Sequence, residues 1–137
     1  MRRYLVVANQ TLGSNELYDE VRACLASGPC TFHIVVPATP PTEHLTWTEG
    51  EARALARDRL ERALSWFREL PATVEGEVGD ANPMLAIWDV LRASPFDDII
   101  LSTLPPGLSR WLKMDLPTRV RTTFGLPVTD VVSALSR

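Results

Sequence analysis

Short apolar runs alternate along the chain with longer segments in which apolar residues recur every three or four positions. The short runs have the length of β-strands, and the periodic segments are typical of helices with one buried face. This alternation favours an α/β fold in which helices cover both faces of a parallel sheet. The predicted strands are 3–8, 31–36, 73–78, 97–102 and 126–132.

Residues that cap helices mark where the periodic segments begin. Ser14, Thr48 and Asn82 each precede such a segment, and their side-chain oxygens can accept hydrogen bonds from the first helical turn. A last helix is predicted over residues 116–123, with Asp115 as its cap. The sequence therefore predicts four helices between five strands.

The positions of charged residues and proline predict the order of the strands. The third strand carries Glu75 and Glu77, and the fifth carries Pro127 and Asp130. A strand that is buried on both faces tolerates neither type of residue well, so these two strands are expected at the edges. The predicted order is 3-2-1-4-5, in which the chain changes direction between strands one and four. A ligand crevice is then expected at their carboxyl ends, formed by residues 9–14 and 103–115.

Composition narrows the possible classes of protein. The 137 residues fit one domain over 1–137, with 45% hydrophobic and 23% charged residues. A net charge of −3 argues against a general nucleic-acid binder. No apolar run approaches the ~18 residues of a membrane helix, so a cytoplasmic protein without a membrane partner is expected. The spacing of Cys24 and Cys30 fits neither a redox motif nor a zinc half-site, so both are expected to be reduced.

Basic residues are concentrated after the fourth strand. Residues 110–121 contain four basic side chains and one acidic side chain, Asp115, so this stretch has a net charge of +3. The basic residues are Arg110, Lys113, Arg119 and Arg121. Such side chains could hold an anionic ligand, or they could form a solvated face. No metal-binding motif is present and no catalytic group is predicted.

Several residues could be read as functional, but most of them are better explained by a role in the structure. Ser109 lacks the second glycine of a hydrolase elbow and is expected to cap a turn or helix. His33 is expected to be a hydrogen-bonded sheet residue. Core packing is expected for both Trp88 and Trp111, with Trp111 the more exposed of the two. The proline-rich loop 37–48, with His44 and Trp47, is either a lid or an inert cover.

Four short segments carry a resemblance to a known family. They are Gly79-Asp80-Ala81-Asn82-Pro83, Asp98-Ile99-Ile100-Leu101-Ser102, Gly107-Leu108-Ser109-Arg110 and Leu126-Pro127-Val128. With the strand order and the length, they resemble the universal stress protein family of the adenine-nucleotide alpha-hydrolase-like superfamily. Members that bind ATP have a G-x2-G-x9-G-[S/T] loop after strand four and an aspartate after strand one.

The chain differs from that pattern at each of these positions. Leu101, Leu104 and Met114 replace the glycines, Asp115 replaces the serine, and Asn9 replaces the aspartate. Side chains at the glycine positions would block the approach of the backbone to a phosphate. The resemblance therefore implies a universal stress protein-like module that does not bind ATP in the family manner.

We accordingly expect a small regulatory or ligand-binding protein without enzymatic activity or cofactor. Two alternatives remain: a stress protein that binds ATP or AMP through Arg110 and Lys113, and an enzyme acting on a small anionic substrate. A homodimer is expected through the apolar edge strand 126–132. The candidate ligand-binding residues are Ala8, Asn9, Ser14, Ser102, Thr103, Gly107, Ser109, Arg110, Lys113 and Asp115.

Overall fold

A computed structural model describes residues 1–40 and 48–134. The strands are β1 (Arg2–Val7), β2 (Cys30–Pro37), β3 (Thr73–Gly79), β4 (Asp98–Thr103) and β5 (Val128–Val132). The helices are α1 (Asn15–Ala26), α2 (Glu49–Phe67), α3 (Pro83–Ala93), α4 (Arg110–Lys113) and α5 (Leu116–Phe124). None of the helices in the described ranges is both long and apolar enough to span a membrane. His44 and Trp47, which the sequence placed on a possible lid, lie outside the described residues.

The five strands form one parallel sheet in the order β3-β2-β1-β4-β5. This confirms both the predicted fold class and the predicted strand order. Glu75 and Glu77 lie on the exposed edge strand β3, where charged side chains remain in contact with water. The central strands β1 and β4 are almost completely buried toward their carboxyl ends.

Two layers of apolar side chains cover the sheet. Leu17 of α1 and Leu60 and Phe67 of α2 pack with Val6 and Ile34 on one face. On the other face, side chains of α3, α4 and α5 pack with β1 and β4, and Trp111 of α4 belongs to this second cluster. The interior strands β1, β2 and β4 therefore present alternate residues to the two clusters, which explains their continuous apolar runs in the sequence.

Core packing is confirmed for Trp111 but wrong for Trp88, so the predicted order of their exposure is reversed. Trp88 is 52% exposed and Trp111 only 8% exposed. Helix α3 buries Ala86, Ile87 and Val90 against the sheet, and this places Trp88 on its outer side. Trp111 is buried because the short helix α4 folds it against the second cluster.

The prediction that Asp115 caps the last helix is also wrong. Its backbone is left-handed, with φ of 52°, and its side chain makes no capping hydrogen bond. A capping residue normally has an extended backbone that directs its oxygen toward the following N–H groups. The conformation of Asp115 instead follows from the tight turn that joins α4 to α5.

Candidate functional site

A cavity of about 440 Å³, part of it open to solvent, lies at the carboxyl ends of β1 and β4. Its polar lining consists of Asn9, Gln10, Thr11, Thr39, Ser102, Thr103, Ser109 and Arg110, and its apolar lining of Pro40, Leu104, Leu108 and Trp111. The cavity lies at the point where the strand order changes direction, which is where open parallel sheets bind ligands.

Asn9 follows β1, and its side chain forms hydrogen bonds with the loop after β2 and with α2. Its Nδ2 donates to the carbonyl oxygen of Pro37 at 2.8 Å and to that of Thr39 at 3.3 Å. Its Oδ1 accepts from Nη1 of Arg59 at 2.6 Å. Both amide protons are thus used within the protein, so the side chain positions the loop after β2.

Buried hydroxyl groups form the floor of the cavity. Oγ1 of Thr11 lies 2.5 Å from Oγ of Ser102, and both residues line the cavity. Ser102 Oγ lies 3.5 Å from Oγ of Ser133, which accepts a hydrogen bond from Ser14 Oγ at 2.9 Å. The hydroxyl of Ser14 also accepts from the backbone N–H of Leu17 and so caps α1. This network joins the floor of the cavity to the end of β5 and the start of α1.

Arg110 supplies positive charge to the cavity wall. Ser109 caps α4 by accepting a hydrogen bond from the N–H of Leu112, which fixes the start of the helix beside the cavity. The guanidinium Nη1 of Arg110 donates to the carbonyl oxygen of Pro40 at 2.8 Å. No ion pair joins Arg110 to a carboxylate within residues 1–40 and 48–134. The charge of Arg110 is therefore uncompensated by this part of the chain.

A carboxylate is hydrogen-bonded to one of the residues that line the cavity. Thr103 Oγ1 donates to Oδ1 of Asp130 at 3.0 Å, and Thr103 lines the cavity. Burial raises the pKa of Asp130, while the hydrogen bond from Thr103 and the charge of Arg121 act in the opposite direction. Asp130 is therefore a better proton acceptor than an ordinary exposed aspartate.

The sequence analysis did not identify Arg59 as a residue near the site. It contacts Asn9 across 50 positions of sequence, and burial lowers its pKa. One signal was present in the sequence: the positions three and four residues from Arg59 on either side hold no acid. Thr39 and Pro40 were also missed because they follow β2, whereas the sequence pointed to the ends of β1 and β4.

The structure separates the sequence-predicted candidates into two groups. Asn9, Ser102, Thr103, Ser109 and Arg110 line the cavity together. The remaining candidates lie outside this lining: Ala8, Ser14, Gly107, Lys113 and Asp115. Of these, Ala8 and Ser14 are buried, whereas Gly107, Lys113 and Asp115 are exposed. Within the described ranges, no three His, Cys, Asp or Glu side chains are grouped so that they could hold a metal ion.

Comparison with known proteins gives a likeness of fold to solved structures. No protein-family model matches the chain, and no curated protein matches it. The fold is similar to that of GalB, the 4-carboxy-2-hydroxymuconate hydratase of Pseudomonas putida KT2440, with a TM-score of 0.50 and 19% identity. The match covers 98% of this chain but 63% of the hydratase, so the chain spans less than two thirds of that enzyme.

These findings correct the expectation of a universal stress protein. No model of that family matches. A solved structure with a similar fold is a hydratase, which corrects the expectation of a regulatory module without activity. The residues that carried the resemblance have general structural roles. Gly79 gives room to Ala86 of α3, Asn82 caps α3, and Ser109 caps α4. Packing and capping of this kind serve any fold of this topology and do not identify a family.

Proposed function

We propose that this protein is an enzyme that acts on a small anionic substrate in the cavity at the ends of β1 and β4. The observation that carries the proposal is the guanidinium group of Arg110. It lines the cavity, and its only hydrogen bond to the described residues goes to a neutral carbonyl group. Residues 1–40 and 48–134 offer no acceptor to the other N–H donors of this guanidinium, and a carboxylate or phosphate is the group that a guanidinium binds best.

Thr103 and Asp130 provide a route for a proton. Thr103 Oγ1 can accept a proton from a molecule in the cavity while its own proton passes to Oδ1 of Asp130, 3.0 Å away. The net result is one proton moved from the cavity to the carboxylate. The raised pKa of Asp130 favours this direction, because a stronger base holds the proton better.

Addition of water to an unsaturated carboxylate is the reaction that we infer first. It requires an anion site for the carboxylate, a group that removes a proton from water, and return of a proton to carbon. Arg110 fits the first requirement, and Thr103 with Asp130 fits the second. The proton taken up by Asp130 can return through Thr103 to carbon, which meets the third. The hydratase with a similar fold makes this reaction class the natural starting point, although identity of 19% supports a likeness of fold alone.

The test is turnover of conjugated unsaturated carboxylates, followed as loss of their ultraviolet absorbance. We expect the native protein to consume at least one of them and Arg110→Gln to have a kcat/KM about 10- to 100-fold lower. This range corresponds to the loss of one hydrogen bond to a charged group, about 1.5–3 kcal/mol. Arg119→Gln is the matched control, because it removes the same charge from an exposed position of α5 outside the cavity lining.

Two results would contradict the proposal. One is the absence of turnover of every unsaturated carboxylate by the native protein. The other is an equal loss of activity in Arg110→Gln and Arg119→Gln, which would mean that only net charge matters. Asp130→Asn separates proton transfer from binding: we expect a lower kcat with little change in KM, since Asp130 is outside the cavity lining and is hydrogen-bonded to the lining residue Thr103.

A further inference from the structure

An exposed apolar residue belongs to the cavity wall, two positions before Arg110. Leu108 lines the cavity and is 63% exposed, more than Leu85 and Trp88 on the outer side of α3. Single exposed leucines are common on protein surfaces, but one in the wall of a ligand cavity offers apolar area that a ligand can cover. Leu108 therefore provides a contact surface for the uncharged part of a molecule bound in the cavity.

The segment that carries Leu108 has little conformational freedom. The backbone N–H groups of Leu108 and Ser109 both donate to the carbonyl oxygen of Pro105, at 3.0 and 3.1 Å. The rings of Pro105 and Pro106 restrict their φ angles, and Gly107 has a φ of 91°, which other residues rarely adopt. The position of Leu108 at the cavity is thus fixed by a stiff turn before α4.

Other apolar residues extend this surface on both sides of the charged group. Leu104 precedes the turn, Trp111 follows it in α4, and Pro40 lies on the loop after β2; all three line the cavity. Nη1 of Arg110 donates to the carbonyl oxygen of Pro40 at 2.8 Å, so the guanidinium group extends from α4 to that loop. An anionic group that binds Arg110 is therefore held in a cavity whose wall is also apolar.

We propose that the substrate is an amphipathic carboxylate, in which the carboxylate group binds Arg110 and a hydrocarbon chain covers Leu104 and Leu108. This inference rests on the proposed function, because it names the class of substrate for the same cavity. Burial of one methylene group contributes ~0.8 kcal/mol, which corresponds to about a fourfold gain in affinity. Leu108 is accordingly a residue that determines specificity, since it favours acids with an apolar chain over short or doubly charged acids.

Nuclear magnetic resonance titration with saturated, unreactive acids tests the proposal. The probes are acetate, butyrate and hexanoate, which carry the same charge and differ only in chain length. We expect the native protein to bind hexanoate at least about tenfold more tightly than acetate, since burial of two methylene groups suffices for this gain. Succinate, in which a second carboxylate replaces the methyl group of butyrate, should bind more weakly than butyrate, because it would place a charge against apolar side chains.

Variants of Leu108 connect the preference for longer chains to this residue. Leu108→Asn keeps the approximate size of the side chain and makes it polar. It should lower the ratio of the hexanoate affinity to the acetate affinity by about threefold or more and leave the acetate affinity unchanged. Leu108→Met, which stays apolar, should keep the native ratio. Leu85→Asn is the matched control, because it makes the same change at an exposed leucine outside the cavity lining.

The outcomes distinguish this proposal from the proposed function. If the native protein binds the three acids equally, or binds succinate more tightly than butyrate, the apolar part of the assignment is wrong, and weaker binding of all acids by Arg110→Gln would still support the anion site. If Leu108→Asn keeps the full ratio, or Leu85→Asn lowers it equally, the role of Leu108 is wrong. If Arg110→Gln binds every acid as well as the native protein does, the proposed function is wrong.

Two further results complete the test. If no acid binds to the native protein, both proposals are overturned. Thermal melting of each variant checks that it is folded, and the series of acids on the native protein provides the test if Leu108→Asn does not fold.

Discussion

Replacement of Asn9 by alanine should destabilise the whole fold, because one buried side chain joins three parts of the chain. Asn9 is 6% exposed and links β1 to the carbonyl groups of Pro37 and Thr39 and to the guanidinium of Arg59. An intramolecular hydrogen bond contributes about 0.5–1.5 kcal/mol net. Three of them give an expected loss of about 2–4 kcal/mol in the free energy of unfolding, out of a typical total of about 5–15 kcal/mol.

Urea denaturation followed by tryptophan fluorescence measures this loss. We expect Asn9→Ala to lower the midpoint without a change in the slope, since the surface exposed on unfolding is the same. Asn15→Ala is the matched control, because Asn15 is exposed in the first turn of α1 and its replacement should change stability by less than about 0.5 kcal/mol. Equal stabilities of the two variants would refute the role assigned to Asn9.

Three further predictions concern packing, titration and association. Gly79→Ala should destabilise the protein by about 1–3 kcal/mol in urea denaturation, because a Cβ there would lie 2.8 Å from Cβ of Ala86. Asp130→Asn should raise the Tm at neutral pH, and this gain should shrink as pH falls through the raised pKa of Asp130 toward the ordinary value of about 4. If β5 pairs with a second copy of the chain, Val132→Lys should convert the dimer to a monomer in analytical ultracentrifugation, since Val132 is 44% exposed on this edge strand.

Each of these predictions has a control or an opposing result. Gly50→Ala, where a Cβ would meet no atom within 4 Å, should stabilise α2 by about 0.5–1 kcal/mol. A native protein that is more stable than Asp130→Asn at neutral pH would contradict the effect of burial on this carboxyl group. A native protein that already sediments as a monomer would exclude the β5 dimer.

The sheet could be predicted because its signals are local. Strands buried on both faces must be apolar throughout, and the glutamates of β3 could lie only at an edge. The starts of α1, α2 and α3 were equally readable, because Ser14, Thr48 and Asn82 each accept a hydrogen bond from the helix that follows. These features depend on residues within a few positions of one another.

The features that sequence reasoning missed depend on contacts between distant residues. Helix α3 is apolar on more than one side, so its periodicity did not decide whether Ile87 and Val90 or Trp88 would face the sheet. Close packing of Ala86 against Gly79 favours the observed orientation. The contact between Arg59 and Asn9 spans two elements, and no local pattern could pair them.

The central claim is that a small anion binds in the cavity at the ends of β1 and β4. A crystal structure of the protein with a bound carboxylic acid tests it most directly. The account predicts the carboxylate group within hydrogen-bond distance of the guanidinium of Arg110, above the hydroxyls of Thr11 and Ser102, and loss of the bound molecule in Arg110→Gln. An acid bound elsewhere on the protein, or bound equally well in that variant, would contradict the account.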